Sequence, residues 1–225
     1  MFKYDSKMCL PSAEELPYSD DAPVDNELQH LIPSLLEAVL AMAWSDRTDW
    51  FFGVNLGIYY DPMQPAIVPD GLLSLGVERI IHPDLRLSYV LWEEKTVPIM
   101  VLEVVYQPLR GERTTKLEKY AEMGVLYYAV YSPLRERKPR LEVARLVDGC
   151  YFLQQGFPVW MPEIGLGIGR EEGTYQGITR EWLYWYDERG QRLLTPEELA
   201  QQAEQRAHRL AEELRRHGID PDSLL

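Results

Sequence analysis

Cysteine is almost absent from this chain: Cys9 and Cys150 are the only two. So few and so far apart, they exclude a disulfide framework and a Cys-x-x-Cys metal site. Histidine is equally sparse, and His30, His82, His208 and His217 show no paired ligand spacing. No apolar run approaches the roughly 18 residues of a membrane span, so no membrane partner is expected. Residues 1–7 carry no apolar core of the signal-peptide kind, which makes a cytoplasmic location the expectation. Positive charge is short as well. Against 36 Asp+Glu stand 23 Lys+Arg, a net charge of −13. That balance excludes a general duplex-DNA coat but leaves room for a local basic groove.

What is present is ordinary globular material: 225 residues, 46% hydrophobic and 26% charged, enough for one large domain with a buried core. Residues 1–24 form an acidic N-terminal arm with prolines at 11, 17 and 23. A helix is expected from Asp25 to Ala43, where Leu28, Leu31, Ile32, Leu35, Leu36, Val39 and Met42 share one face. Pro33 must kink it or open a shorter helix. Strands are expected at Trp50–Tyr60, Ile67–Leu75, Ser88–Trp92, Pro98–Tyr106, Val125–Tyr131, Leu141–Val147 and Tyr151–Gln154. The almost wholly apolar Pro98–Tyr106 should be central. A second helix should run from Glu112 to Met123 and stop at Gly124. Residues 156–177, rich in Gly and Pro, read as turns, with Gly165, Gly167 and Gly169 in a hairpin rather than a phosphate loop. Trp182, Tyr184 and Trp185 read as core and interface packing. The tail helix carries Thr195 as N-cap, Pro196 at its first position and Glu198 completing a capping box. Its stripe of Leu199, Ala203, Ala207, Leu210 and Leu214 suits docking on the domain or weak self-association, a possible homodimer. The pattern gives an α/β (α+β) core over residues 25–194 and a C-terminal helical extension over 195–225.

One residue stands out. Glu103 interrupts the central apolar strand, and a buried carboxylate is costly unless paired or metal-bound. Asp70 lies on the preceding major strand, and an antiparallel pairing would bring the two carboxylates together. Two such hard oxygen ligands repel each other, and a divalent cation relieves the repulsion. Glu112, Lys116 and Lys119 fall on neighbouring positions of the following helix, so Lys116 can reach the same place or simply pair with Glu112. Asp, Glu and Lys on strand, strand and helix suit phosphodiester hydrolysis.

Several stretches carry a family resemblance: Phe52–Pro62, Val68–Val77 with its Pro69-Asp70, Ser88–Glu94, Leu102–Val105, Lys116…Tyr120…Gly124-Val125 and Tyr127–Pro133. With Gly177–Asp187 and the Gln/Glu/Ala-rich tail, they resemble the Uma-two family, abundant in cyanobacteria and placed in the PD-(D/E)xK nuclease superfamily. The resemblance implies a restriction-endonuclease-like core, a mixed central β-sheet flanked by helices, with Mg²⁺ (or Mn²⁺) as cofactor. It implies a DNA endonuclease with Asp70, Glu103 and Lys116 as catalytic residues. The metal ligands would be Asp70, Glu103, the Val104 carbonyl and a first-helix glutamate, Glu27 in preference to Glu37. Asp84, in His82-Pro83-Asp84, is a competing match for Asp70. Arg110, Arg113 and Lys119 are candidates for substrate phosphate, because residues 107–145 hold nine Lys+Arg and five Asp+Glu, a local +4 within the acidic whole. DNA would meet that basic face. The chain departs from the pattern at Val105, at Tyr106, at Gln107-Pro108-Leu109 and at Glu112. These changes leave the ligands in place and motivate a rival reading, a catalytically inactive nuclease fold serving as a binding or assembly module.

Overall fold

A computed structural model describes residues 26–81, 85–105, 112–134 and 139–221; of Glu112, Arg113 and Thr114 only the backbone is described. The N-terminal arm, Cys9, Asp84, Tyr106–Leu109 and Arg110 lie outside these residues.

Helix α1 spans Glu27–Ala43, and the Asn26 side chain caps it by accepting from the N–H groups of Leu28 and Gln29. Leu31, Ile32, Leu35, Leu36, Val39 and Leu40 are buried along one side, as the periodicity requires. Pro33 sits inside the helix and is buried. It rests on Gly71, where a Cβ would come 3.2 Å from the Pro33 Cβ. Only a residue without a side chain lets helix and strand approach so closely there.

The main sheet has six strands in the order β1-β3-β5-β6-β7-β8. They are β1 (Trp50–Val54), β3 (Gly71–Leu75), β5 (Met100–Val104), β6 (Tyr127–Tyr131), β7 (Leu141–Val147) and β8 (Cys150–Leu153). Only β5 and β6 pair in parallel. A parallel pair needs a crossover, and α3 (Glu112–Met123) supplies it, ending at Gly124 with φ +86. Every residue of β5 and β6 is buried, as their nearly continuous apolar runs anticipate.

Four expected elements differ, and of Ile67–Leu75 only Gly71–Leu75 is strand. Trp50–Tyr60 is not one strand: Asn55 takes φ +50 and breaks it, leaving β2 (Ile58–Tyr59) to pair in parallel with β4 (Tyr89–Val90). Asparagine tolerates this left-handed backbone better than most residues. Ser88–Trp92 likewise divides, into β4 and a short helix α2 (Leu91–Glu94). Residues 156–177 are mostly strand: β9 (Val159–Met161) and the long β10 (Leu166–Tyr175) join β11 (Ile178–Tyr186) in a second sheet. Its glycines serve packing, because a Cβ on Gly173 would lie 2.2 Å from the Tyr184 hydroxyl.

One apolar cluster joins α1, the near face of the main sheet and the β9–β11 sheet, and Trp182, Tyr184 and Trp185 are wholly buried in it. A second cluster lies on the far face, with Val101, Tyr128 and Val130 against Tyr120 and Met123 of α3. Helix α4 (Pro196–Arg216) has the expected capping box and touches α1, but none of its residues is buried.

Candidate functional site

The sheet register decides where the carboxylates meet. Gly71 pairs with Leu102 across the antiparallel β3–β5 ladder, so Asp70, one residue before β3, comes level with Glu103. Asp70 is therefore at the strand's mouth rather than in its middle. Leu102 and Val104 enter the α1-side core, so Glu103 between them turns to the α3 side. Helix α3 begins beyond the end of β5 and returns towards the start of β6. Lys116 and Tyr120, four residues apart on it, face the sheet together.

The contacts are specific. Lys116 Nζ donates to both Glu103 oxygens at 3.1 Å and to the Val68 carbonyl at 3.0 Å. Tyr120 Oη donates to Glu103 Oε1 at 2.8 Å. The Val104 N–H donates to Asp70 Oδ2 at 2.5 Å. Glu103 is 9% exposed and Tyr120 wholly buried, whereas the Lys116 side chain keeps 33% of its surface open. Solvent reaches the group from the lysine side. Burial, then the Glu103 charge and its hydrogen bond, hold the Tyr120 phenol well above the usual tyrosine value, and Asp70 pushes it the same way. Tyr120 thus remains a proton donor to Glu103.

The structure brings Asp70, Glu103 and Lys116 together and adds Tyr120, which sequence reasoning passed over as a site residue. The signal was available: Lys116 and Tyr120 have the four-residue spacing of one helix face. Lys119 lies apart, its Nζ 5.6 Å from the centre of the Tyr60 ring. Arg113 opens α3 a turn before Lys116. Glu27 is exposed at the first residue of α1, a helix on the opposite face of the sheet. Among the described residues no three His, Cys, Asp or Glu side chains form a metal-binding group, so Glu27 does not complete one with Asp70 and Glu103. Glu37 faces elsewhere. It lines a cavity of about 300 Å³ with Phe51, Arg79 and Arg86; burial raises its pKa and Arg79 opposes the rise. No helix is long and apolar enough to cross a membrane among the described residues.

A family model described as putative restriction endonuclease, Uma-two, matches residues 20–169. The chain belongs to this family. Its mixed α+β architecture is that of a restriction-endonuclease-like core, and the match ends inside β10. Comparison with curated proteins and with solved structures found no match. Such folds generally work with a divalent metal, and the donors here suit one: two carboxylates and the nearby Val104 carbonyl are hard oxygen ligands. Lys116 and Tyr120 both bond Glu103.

Proposed function

We propose that the protein is a Mg²⁺- or Mn²⁺-dependent endonuclease hydrolysing phosphodiester bonds in DNA. The observation that carries this reading is the convergence of Asp70 and Glu103 at adjoining strand ends with Lys116 bonded to Glu103. Asp70, Glu103 and the Val104 carbonyl would hold the cation; Glu27 is not needed for it. When bound, the cation supplies Lewis acidity towards the phosphate and lowers the pKa of water. The Val104 N–H fixes the Asp70 carboxylate, and Tyr120 fixes that of Glu103. Lys116, tethered by the Val68 carbonyl, can leave Glu103 and turn its ammonium to the negative charge that grows on the phosphoryl oxygens. Lys119, Arg113 and Arg110 would meet flanking phosphates by charge alone, in a salt-sensitive way.

The closed contact of Lys116 and Tyr120 on Glu103 supports a second reading, the inactive nuclease fold used for binding. One experiment separates them. Purified protein with Mn²⁺ or Mg²⁺ is incubated with supercoiled plasmid, and Mn²⁺ binding is measured by calorimetry. Nicking that disappears in Asp70→Ala, together with weakened Mn²⁺ binding, supports the nuclease. No nicking at excess protein, with Mn²⁺ binding unchanged in Asp70→Ala, overturns it.

A further inference from the structure

Strand β1 is an outer strand of the main sheet, and the direction of its free backbone groups follows from its ends. The Gly76 N–H bonds the Asp49 carbonyl, and the Asn55 N–H bonds the Asp70 carbonyl. In an antiparallel ladder bonded residues alternate, so Phe51 and Gly53 face β3 while Phe52 and Val54 turn their N–H and C=O groups outward. The same outward edge is already used at its start, where the Arg79 N–H takes the Thr48 carbonyl at 2.9 Å. Among the described residues none bonds the outward groups of Phe52 or Val54. An edge of this kind is a template for one more strand.

The cavity of about 300 Å³ along this edge has two unlike walls. On the α1 side stand Glu37 and Arg79, the latter with its guanidinium 4.7 Å from the centre of the Trp50 ring. Neither side chain makes a hydrogen bond or salt bridge to a described residue. On the α3 side stand Phe51 and Leu85, and Leu85 is 61% exposed. Arg86, over the Phe51 ring at 4.4 Å, is engaged by Glu94 and by the Glu78 and Arg79 carbonyls. We propose that the groove binds an extended peptide segment of a partner protein, which pairs with β1 at Phe52 and Val54 and sets a Lys and an Asp or Glu, two residues apart, against Glu37 and Arg79. Side chains two apart share one face of a strand. Both charges of the peptide therefore fall on the α1 side, and the apolar residues that alternate with them meet Phe51 and Leu85. A half-buried carboxylate is costly without a counter-charge, and the peptide's lysine supplies it. A second copy of this chain fits less well, because its own β1 lies between the same walls and the two walled edges hold each other off. A single peptide brings no walls.

The test uses the full chain and a peptide, Val-Lys-Val-Asp-Val, acetylated, amidated and carrying fluorescein on a linker. Anisotropy should give a dissociation constant of roughly tens of micromolar. Of two such peptides N-methylated at alternate amides, one should lose at least about tenfold in affinity and the other little, since only one edge of the added strand faces β1. Glu37→Lys should turn the preference to Val-Asp-Val-Asp-Val, and Arg79→Glu to Val-Lys-Val-Lys-Val, each by about tenfold. Hydrogen exchange at the Phe52 and Val54 amides should be fast in the free chain and slow on binding. No binding at about 1 mM peptide overturns the proposal. So do equal affinities of the two methylated peptides, or preferences unmoved by either charge reversal. Slow exchange at Phe52 and Val54 in the free chain overturns it too, since the edge would then be held by the chain itself or by a second copy.

Discussion

Glutamates that accept a tyrosine hydroxyl and face a cation stand on both sides of the main sheet. On the α3 side Glu103 takes Tyr120 and Lys116. On the α1 side Glu163 takes Tyr127 and Arg145, and Glu181 takes Tyr131, Arg140 and Arg170. The chemistry of each pair is alike; the surroundings differ. Glu163 and Glu181 are held by guanidinium groups, which never lose their charge: Arg145 gives Glu163 one bond, and Arg140 and Arg170 give Glu181 one each. Glu103 sits on the central strand, has Asp70 level with it, and is held by Lys116, which also donates to the Val68 carbonyl. A carboxylate clamped by arginines is a structural joint. Under the proposed function, the carboxylate level with a second carboxylate is the one that exchanges its lysine for the cation.

The sharpest way to break this contrast is to neutralise one glutamate on each side. Glu103→Gln should lower Mn²⁺-dependent plasmid nicking by about 10³-fold, whereas Glu181→Gln should leave it within about twofold, by initial rates at matched protein folding. Equal losses would show that no functional distinction separates the two faces. Next comes the cation. Lys116→Met should cut nicking by about 10²-fold yet strengthen Mn²⁺ binding several-fold, because the competitor for Glu103 is gone; Arg170→Met should do neither. Calorimetry with Mn²⁺ reads the difference.

A smaller effect is expected from the hydroxyls. Tyr120→Phe removes the bond to Glu103, Tyr131→Phe those to the Glu181 carbonyl and carboxylate, and each should lower unfolding stability by about 1 kcal/mol in urea titrations. Only the first should also shift Mn²⁺ affinity. The smallest effect lies in pH. Glu181 is partly desolvated, which opposes ionisation, but hydrogen bonds from Arg170 and Arg140 outweigh this and lower its pKa. A lowered folded value means that the stabilisation is present above the ordinary carboxylate value near 4.5 and is lost as pH falls through the lowered one. The urea midpoint should therefore fall less between pH 5 and pH 3 in Glu181→Gln than in the unaltered chain. An equal fall would detach Glu181 from acid stability.

Much of this was legible residue by residue. The bounds of α3 and β7 follow from Gly124 and from the Asp148-Gly149 turn, because backbone conformations at those points admit few residues. Glu103 declared itself as a charge inside an apolar run. Strand β10 was illegible for the opposite reason. Its glycines speak for turns locally, and the tyrosines that make them necessary come from the facing strand β11. Tyr120 was hidden similarly: nothing local distinguishes a tyrosine that packs from one that bonds a carboxylate.

The sequence by itself determined helices α1, α3 and α4, the buried central strands, the odd carboxylate and the lysine within reach, since propensity, periodicity and capping act over a few residues. Only the tertiary structure decided that Asp70 stands at a strand mouth level with Glu103, that Tyr120 completes the group, and that α1 carries Glu27 to the other face. Those facts depend on strand register and on the side of the sheet a crossover takes, and both are settled by burial summed over distant segments.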